Sequence, residues 1–179
     1  AFANSGKQYD ITKITQIDDK YAKTIYKHEG KSKQVISAQG AYLISDILSD
    51  RTTRARIFGS SITVNGNHTV AVKTGTTNDN RDAWTIGYNP QYVVGVWVGN
   101  NDNSAMISGG SDMAGPIWKS TMTSLLSGKP DVKFTLPSGI VQRAVCKDKG
   151  GLAAKAGANT YNEYFMSGAL PTESCNSEP

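Results

Sequence analysis

Thr69-Val70-Ala71-Val72-Lys73-Thr74, Ala83-Trp84-Thr85-Ile86-Gly87-Tyr88 and Tyr92-Val93-Val94-Gly95-Val96-Trp97-Val98 decide the fold of this chain. All three stretches are rich in β-branched and aromatic residues and are bounded by turn formers, so each reads as a strand. Asn89-Pro90-Gln91 makes a tight connection between the second and third, as in a hairpin. Successive strands with short connections predict an antiparallel sheet. Downstream, Asn100-Asn101-Asp102-Asn103 and Ser108-Gly109-Gly110-Ser111 read as a polar, flexible loop. Pro116 suits the first turn of a helix, and Trp118, Met122 and Leu125 give that helix an apolar stripe to lay on the sheet.

Upstream, Ser37 is placed to cap a helix running to about Ser49, with Ala41, Ile44, Ile47 and Leu48 toward a core. Arg51 to Arg56 lacks an apolar period, and Gly59 to Asn67 reads as a connection. Ile11 to Ile17 and Tyr21 to Glu29 suggest two strands around a polar turn at Asp18-Asp19. Beyond Gly128-Lys129-Pro130 the composition shifts to Gly, Ala, Lys and Asn, which predicts an appendage of short extended pieces. The expected organisation is therefore a sheet-and-helix unit over 1–128 and a tail over 129–179, of class α+β.

A length of 179 residues suffices for one domain with a real core, and no apolar run approaches a membrane-spanning length. No start methionine or signal peptide is visible, and Ala1-Phe2-Ala3-Asn4 reads as the middle of an element, so a longer parent chain is expected. The net charge of +4 draws attention to Lys20, Lys23, Lys27, Lys31 and Lys33. Because Asp18, Asp19 and Glu29 are interspersed and no arginine joins them, they read as a solvated hairpin and not as a nucleic-acid surface. Cys146 and Cys175 form no C-x-x-C pair, and with only His28 and His68 available a zinc site is not expected. They are either two buried thiols or, outside the cytoplasm, a disulfide contributing about 3–4 kcal/mol.

The chemistry is concentrated at Lys73-Thr74-Gly75-Thr76-Thr77, where a strand ends. Alternation puts Thr74 and Thr76 on one face and Lys73 on the other. Gly75 allows another backbone to approach. An extended peptide can pair along such an edge, its carboxylate taking charge-assisted bonds from the threonine hydroxyls in the field of Lys73. A backbone N–H near Thr76 can serve as half of an oxyanion hole. The carboxylates of Asp79 and Asp82 read as turn formers. Phosphate-loop, dinucleotide, zinc-protease and EF-hand patterns are absent from the sequence.

Lys-Thr-Gly is the third motif of penicillin-binding proteins and serine β-lactamases, and the neighbouring segments extend the likeness. Ala1 to Lys7, Val72 to Gly87 (VKTGTTNDNRDAWTIG), Tyr92 to Asp102 (YVVGVWVGNND) and Gly115 to Lys119 resemble, in order, segments of the penicillin-binding transpeptidases. Leu136 to Val141 and Glu163 to Gly168 are similar to the ends of the bifunctional class, which also carries a glycosyltransferase domain. The resemblance implies the serine β-lactamase/penicillin-binding transpeptidase fold and serine acyl transfer without a cofactor. It also implies peptidoglycan stem peptides ending in D-Ala-D-Ala as substrates, β-lactams as mimics, and a setting on the outer face of the bacterial cytoplasmic membrane. By motif, Lys73 would support the proton network, Thr74, Gly75, Thr76 and Thr77 the substrate, and the Thr76 N–H the oxyanion. No S-x-x-K occurs in these residues, so the nucleophile is expected from a missing N-terminal half and the chain alone is expected to be inactive. The only S-x-N, Ser174-Cys175-Asn176, falls after the Lys-Thr-Gly and reads as chance. Other readings are a β-lactamase or D,D-carboxypeptidase of the same fold, or a peptidoglycan-peptide binding module without chemistry.

Overall fold

Residues 1–175 are described by the computed structural model, whose first feature is a double hairpin. Strand β1 (Lys7–Tyr9) pairs with β4 (Ser32–Gln34), and between them β2 (Gln16–Asp18) pairs with β3 (Thr24–Lys27), both antiparallel. The Asp19 carboxylate closes the tip by accepting from the Tyr21 and Lys23 amides at 2.8 and 3.0 Å. Every residue of these strands is exposed, and the five lysines lie in solvent. Ile11 and Ile14, expected in a strand, lie outside it in the crossing between β1 and β2.

Helix α1 (Ala38–Ser49) starts where expected, with the Ser37 hydroxyl accepting from Gly40 N. Its buried side differs from the expectation: Ala41 and Ser45 are sealed, whereas Ile44 and Ile47 are exposed. Small residues face the sheet because the helix sits close to it, Ser45 Oγ lying 3.1 Å from the Tyr88 hydroxyl. The basic stretch after α1 is a second helix, α2 (Arg51–Phe58), where no helix was predicted. Its origin is the cap: Asp50 accepts from the Thr52 and Thr53 amides. Partial burial pushes the Asp50 carboxyl up, but bonds from Thr53 and Thr52 and the charge of Arg54 outweigh it and hold the group below the usual carboxylate range.

Strands β5 (Ala71–Thr76), β6 (Asp82–Tyr88) and β7 (Val93–Gly99) form the predicted antiparallel sheet in the order β5-β6-β7. Asn89, almost fully buried, fixes the second turn by accepting from the Gln91 and Tyr92 amides. Two helices follow: the unforeseen short α3 (Gly110–Met113) and α4 (Gly115–Leu126). Trp118, Met122 and Leu126 of α4 join Ile62, Val64, Val70, Val72 and Val94 in the core, with Leu125 at its margin. Trp118 lies under Gly87, the position in β6 that leaves room for an indole.

The tail is more ordered than expected. Strands β8 (Ile140–Cys146), β9 (Leu152–Ala153), β10 (Thr160–Met166) and β11 (Ser174–Cys175) form a sheet in the order β10-β8-β9-β11. Cys146 and Cys175 are joined in a disulfide. The sheet docks on α1, where Gln39 Nε2 donates to Ser138 O at 2.8 Å and the rings of Tyr42 and Tyr164 meet edge to face at 5.5 Å.

At this seam, burial and the nearby charges of Glu163 and Asp50 push the Asp46 carboxyl above the usual range. The folded state therefore holds its proton more tightly than the unfolded chain does, and the stability so gained is lost as pH rises through the raised pKa. Asp46→Asn is expected to raise the melting temperature at neutral pH. The gain should disappear in acid below the ordinary carboxylate range, where Asp46 is protonated in both states. A gain that grew toward acid would contradict this assignment of the seam.

Candidate active-site edge

The register of the central sheet fixes what the Lys-Thr-Gly stretch presents. Thr74 stands opposite Thr85 and Thr76 opposite Ala83, whereas Lys73 stands opposite Ile86 and Gly75 opposite Trp84. Directly paired residues share a face, so Thr74 and Thr76 lie on the α4 side, and Lys73 lies on the side of Trp84 and Ile86. Beyond the strand, Thr77 N donates to Asp82 O at 3.0 Å in the same register. Antiparallel ladders alternate, so Lys73 and Gly75 turn their backbone groups toward β6. Val72, Thr74 and Thr76 turn theirs away, to the side where no described strand pairs.

The free edge therefore offers the Thr74 C=O and the N–H groups of Thr74 and Thr76. Lys73 bends around it, and its Nζ donates to Thr74 O at 2.5 Å. A lysine on one face and two threonines on the other thus flank a backbone edge that no described strand pairs. Beside Val72, Lys73 and Thr74 runs a groove of about 160 Å³, its far wall built by Ile47, Leu48, Ile57 and Phe58.

The far end of the edge is a closed turn. Thr77 Oγ1 donates to Asp82 Oδ2 at 3.0 Å and accepts from Asp82 N at 2.8 Å, and Trp97 Nε1 donates to Asp82 Oδ1 at 2.8 Å. Thr77 is thereby committed to the turn, and Asp82 is a structural acceptor, as expected. Asp79 and Asn80 adopt left-handed backbone there. Arg81 donates to Asn103 O at 2.6 Å and Met106 N to Asn80 O at 2.9 Å, which ties the polar loop to the turn.

Two contacts were not foreseen. Gly110 N donates to Thr76 Oγ1 at 3.0 Å, and the fully buried Thr85 donates from Oγ1 to Gly110 O at 3.0 Å. Read as loop flexibility in the sequence, Gly109-Gly110 is instead a point of close approach to β5. Of the Ser174-Cys175-Asn176 match, Asn176 lies outside the described residues.

The edge that carries Lys-Thr-Gly-Thr is thus open on one side and backed by α4 on one face, and sequence comparison identifies the family. The profile of the penicillin binding protein transpeptidase domain matches residues 1–123, and the chain belongs to that family. Residues 136–178 match the penicillin-binding protein 1A C-terminal domain, which places the chain with the class A branch. It is 29% identical to penicillin-binding protein 2D of Bacillus subtilis over 97% of its own length and 26% of that protein's. Against penicillin-binding protein 1A of Escherichia coli the identity is 36% over 56% of this chain and 14% of the relative. The crystal structure of penicillin-binding protein 1A from Haemophilus influenzae superposes with a TM-score of 0.80 at 25% identity, covering 97% of this chain and 31% of that one. The chain thus spans about a quarter of the length of the curated relatives first matched.

Proposed function

We propose that the free edge of β5 is the substrate-binding wall of a peptidoglycan D,D-transpeptidase. The observation that carries this reading is the placement of Lys73, Thr74 and Thr76 along an edge that no described strand pairs. A stem peptide ending in D-Ala-D-Ala adds to the edge as a strand, with Gly75 leaving its path clear. Thr74 and Thr76 hold the terminal carboxylate, and Thr77 closes the end of the edge. The Thr76 N–H faces the carbonyl oxygen as it becomes an oxyanion. Lys73 holds the local field positive and supports the proton network.

The reaction needs a serine. Its oxygen attacks the D-Ala-D-Ala carbonyl, an ester forms, and D-Ala leaves with the serine proton on its amine. A neighbouring stem-peptide amine then attacks the ester and releases the serine. The 179 residues hold no S-x-x-K, so the nucleophile comes from an N-terminal half that packs beside this edge. In this reading residues 1–128 belong to the catalytic domain, 129–179 form an accessory unit, and β-lactams acylate the same serine. The parent enzyme, with its glycosyltransferase domain, is held on the outer face of the cytoplasmic membrane through a segment outside this chain. Among the described residues no helix is long and apolar enough to cross a membrane.

Treatment with a labelled penicillin tests the reading. The full-length protein is expected to take up one label per chain, at a serine outside residues 1–179, and Lys73→Ala is expected to slow acylation at least tenfold. Residues 1–179 alone are expected to take up none. A stoichiometric adduct on the isolated chain, located by mass spectrometry, would overturn the division of labour. An unlabelled full-length protein would favour a peptide-binding module without chemistry.

A further inference from the structure

Gly109 has φ −96° and ψ −166°, and Gly110 is not among the residues with positive φ, so neither position requires glycine for its backbone conformation. What both require is space. A Cβ at Gly109 would stand 2.6 Å from Thr76 Oγ1, and one at Gly110 would stand 2.6 Å from Gly75 O and 2.5 Å from Trp84 O. The absence of side chains is what lets the start of α3 touch β5 and bring the Gly110 amide to the Thr76 hydroxyl. Thr85 holds that amide's residue from the other side, from a fully buried position in β6.

The consequence concerns one proton. A hydroxyl that accepts a bond from a fixed N–H has its oxygen oriented, and its own hydrogen must point elsewhere. We propose that Gly109, Gly110 and Thr85 are positioning residues that fix the Thr76 hydroxyl as a hydrogen-bond donor toward the substrate carboxylate. The relay runs from Thr85 Oγ1 to Gly110 O, and from Gly110 N to Thr76 Oγ1. It keeps the Thr76 hydrogen off the Gly110 side, so less rotor freedom has to be frozen when the carboxylate arrives. The proposal rests on the carboxylate-binding reading of Thr76 given above.

Thr85→Val removes the buried hydroxyl with little change of shape, and Thr85→Ser restores it. In the full-length protein, Thr85→Val is expected to slow acylation by a penicillin about tenfold. Acylation by the methyl ester of the same penicillin, which lacks the carboxylate, should stay within about twofold of wild type. Thr85→Ser should recover the faster rate with the free acid. An equal loss with both compounds would mean a merely structural role and would overturn the proposal, as would no loss with either. If wild type itself treats acid and ester alike, the carboxylate-binding reading fails, and amide exchange then decides on the relay. Thr85→Val and Thr76→Val should each speed exchange across residues 109–113 at least tenfold in the full-length protein while β6 stays protected. Unchanged exchange there would overturn the relay.

Discussion

Replacing Gly87 with alanine should destabilise the protein by about 3 kcal/mol, the upper end of what core overpacking costs. The added methyl would sit against the Trp118 indole, 2.7 Å from its Cε2, and 2.9 Å from the backbone oxygen of Ala71. Neither neighbour can yield. Trp118 has no solvent exposure and is packed among Met122, Leu126 and the valines of the sheet, and the Ala71 oxygen belongs to the paired strand. A cavity could be relieved by partial collapse; an overlap in a core packed to crystal density must push β6 and α4 apart. Denaturant titration of Gly87→Ala against Gly95→Ala checks the argument. Gly95 lies in the neighbouring strand, where a Cβ meets only Ile86 Cγ1 at 3.8 Å, and its substitution should change stability by less than about 0.5 kcal/mol. Shrinking the ring with Trp118→Phe should recover part of the loss, since residues in contact couple. Equal midpoints for the two glycine variants would refute the packing account.

Breaking the disulfide should have an effect of similar size but confined to one part of the molecule. Cys146 and Cys175 are separated by 29 residues, and closing a loop of that length restricts the unfolded chain by about 3–4 kcal/mol. The contribution matters because β9 and β11 are only two residues long and pair in parallel through Leu152–Ser174 and Ala153–Cys175. The β8–β10 ladder, seven pairs long, needs no such help. With both cysteines changed to serine, segments 150–153 and 172–175 should lose exchange protection and the unit should unfold at lower denaturant, while β5–β7 keep theirs. Identical unfolding of the native and double-serine proteins would show that the strands hold without the bond.

The strands of the central sheet were legible because their β-branched runs stop at residues with a physical reason to turn, such as Asn89. The α4 stripe was legible for the same local reason. Helix α2 was not, because what starts it is one carboxylate, Asp50, rather than an apolar period, and its arginines and threonines carry none. The tail sheet was hidden because the Gly- and Ala-rich stretch between β8 and β10 dominates the composition and neither of those strands, IVQRAVC and TYNEYFM, alternates cleanly. The orientation of Lys73, Thr74 and Thr76 followed from a period of two. Thr85 and Gly109-Gly110 did not: a buried threonine looks like any strand residue, and paired glycines read as looseness until the backbone they touch is known. The one available signal was their place just ahead of Pro116 and its helix. That Ile44 and Ile47 face outward also escaped sequence reasoning, since helical spacing finds a stripe but does not say whether large or small residues seat it.

Three tryptophans divide the molecule's optical properties. Trp118 is sealed under Gly87, whereas Trp84 and Trp97 stand opposite each other across β6 and β7, each a little under half exposed. A dissolved quencher should dim the exposed pair and leave the buried indole bright, and only denaturant should shift the emission of all three. The exposed pair shares its face of the sheet with Lys73. The sheet thus carries its own label-free gauge of its open face, and a second one, beneath it, for the integrity of the core.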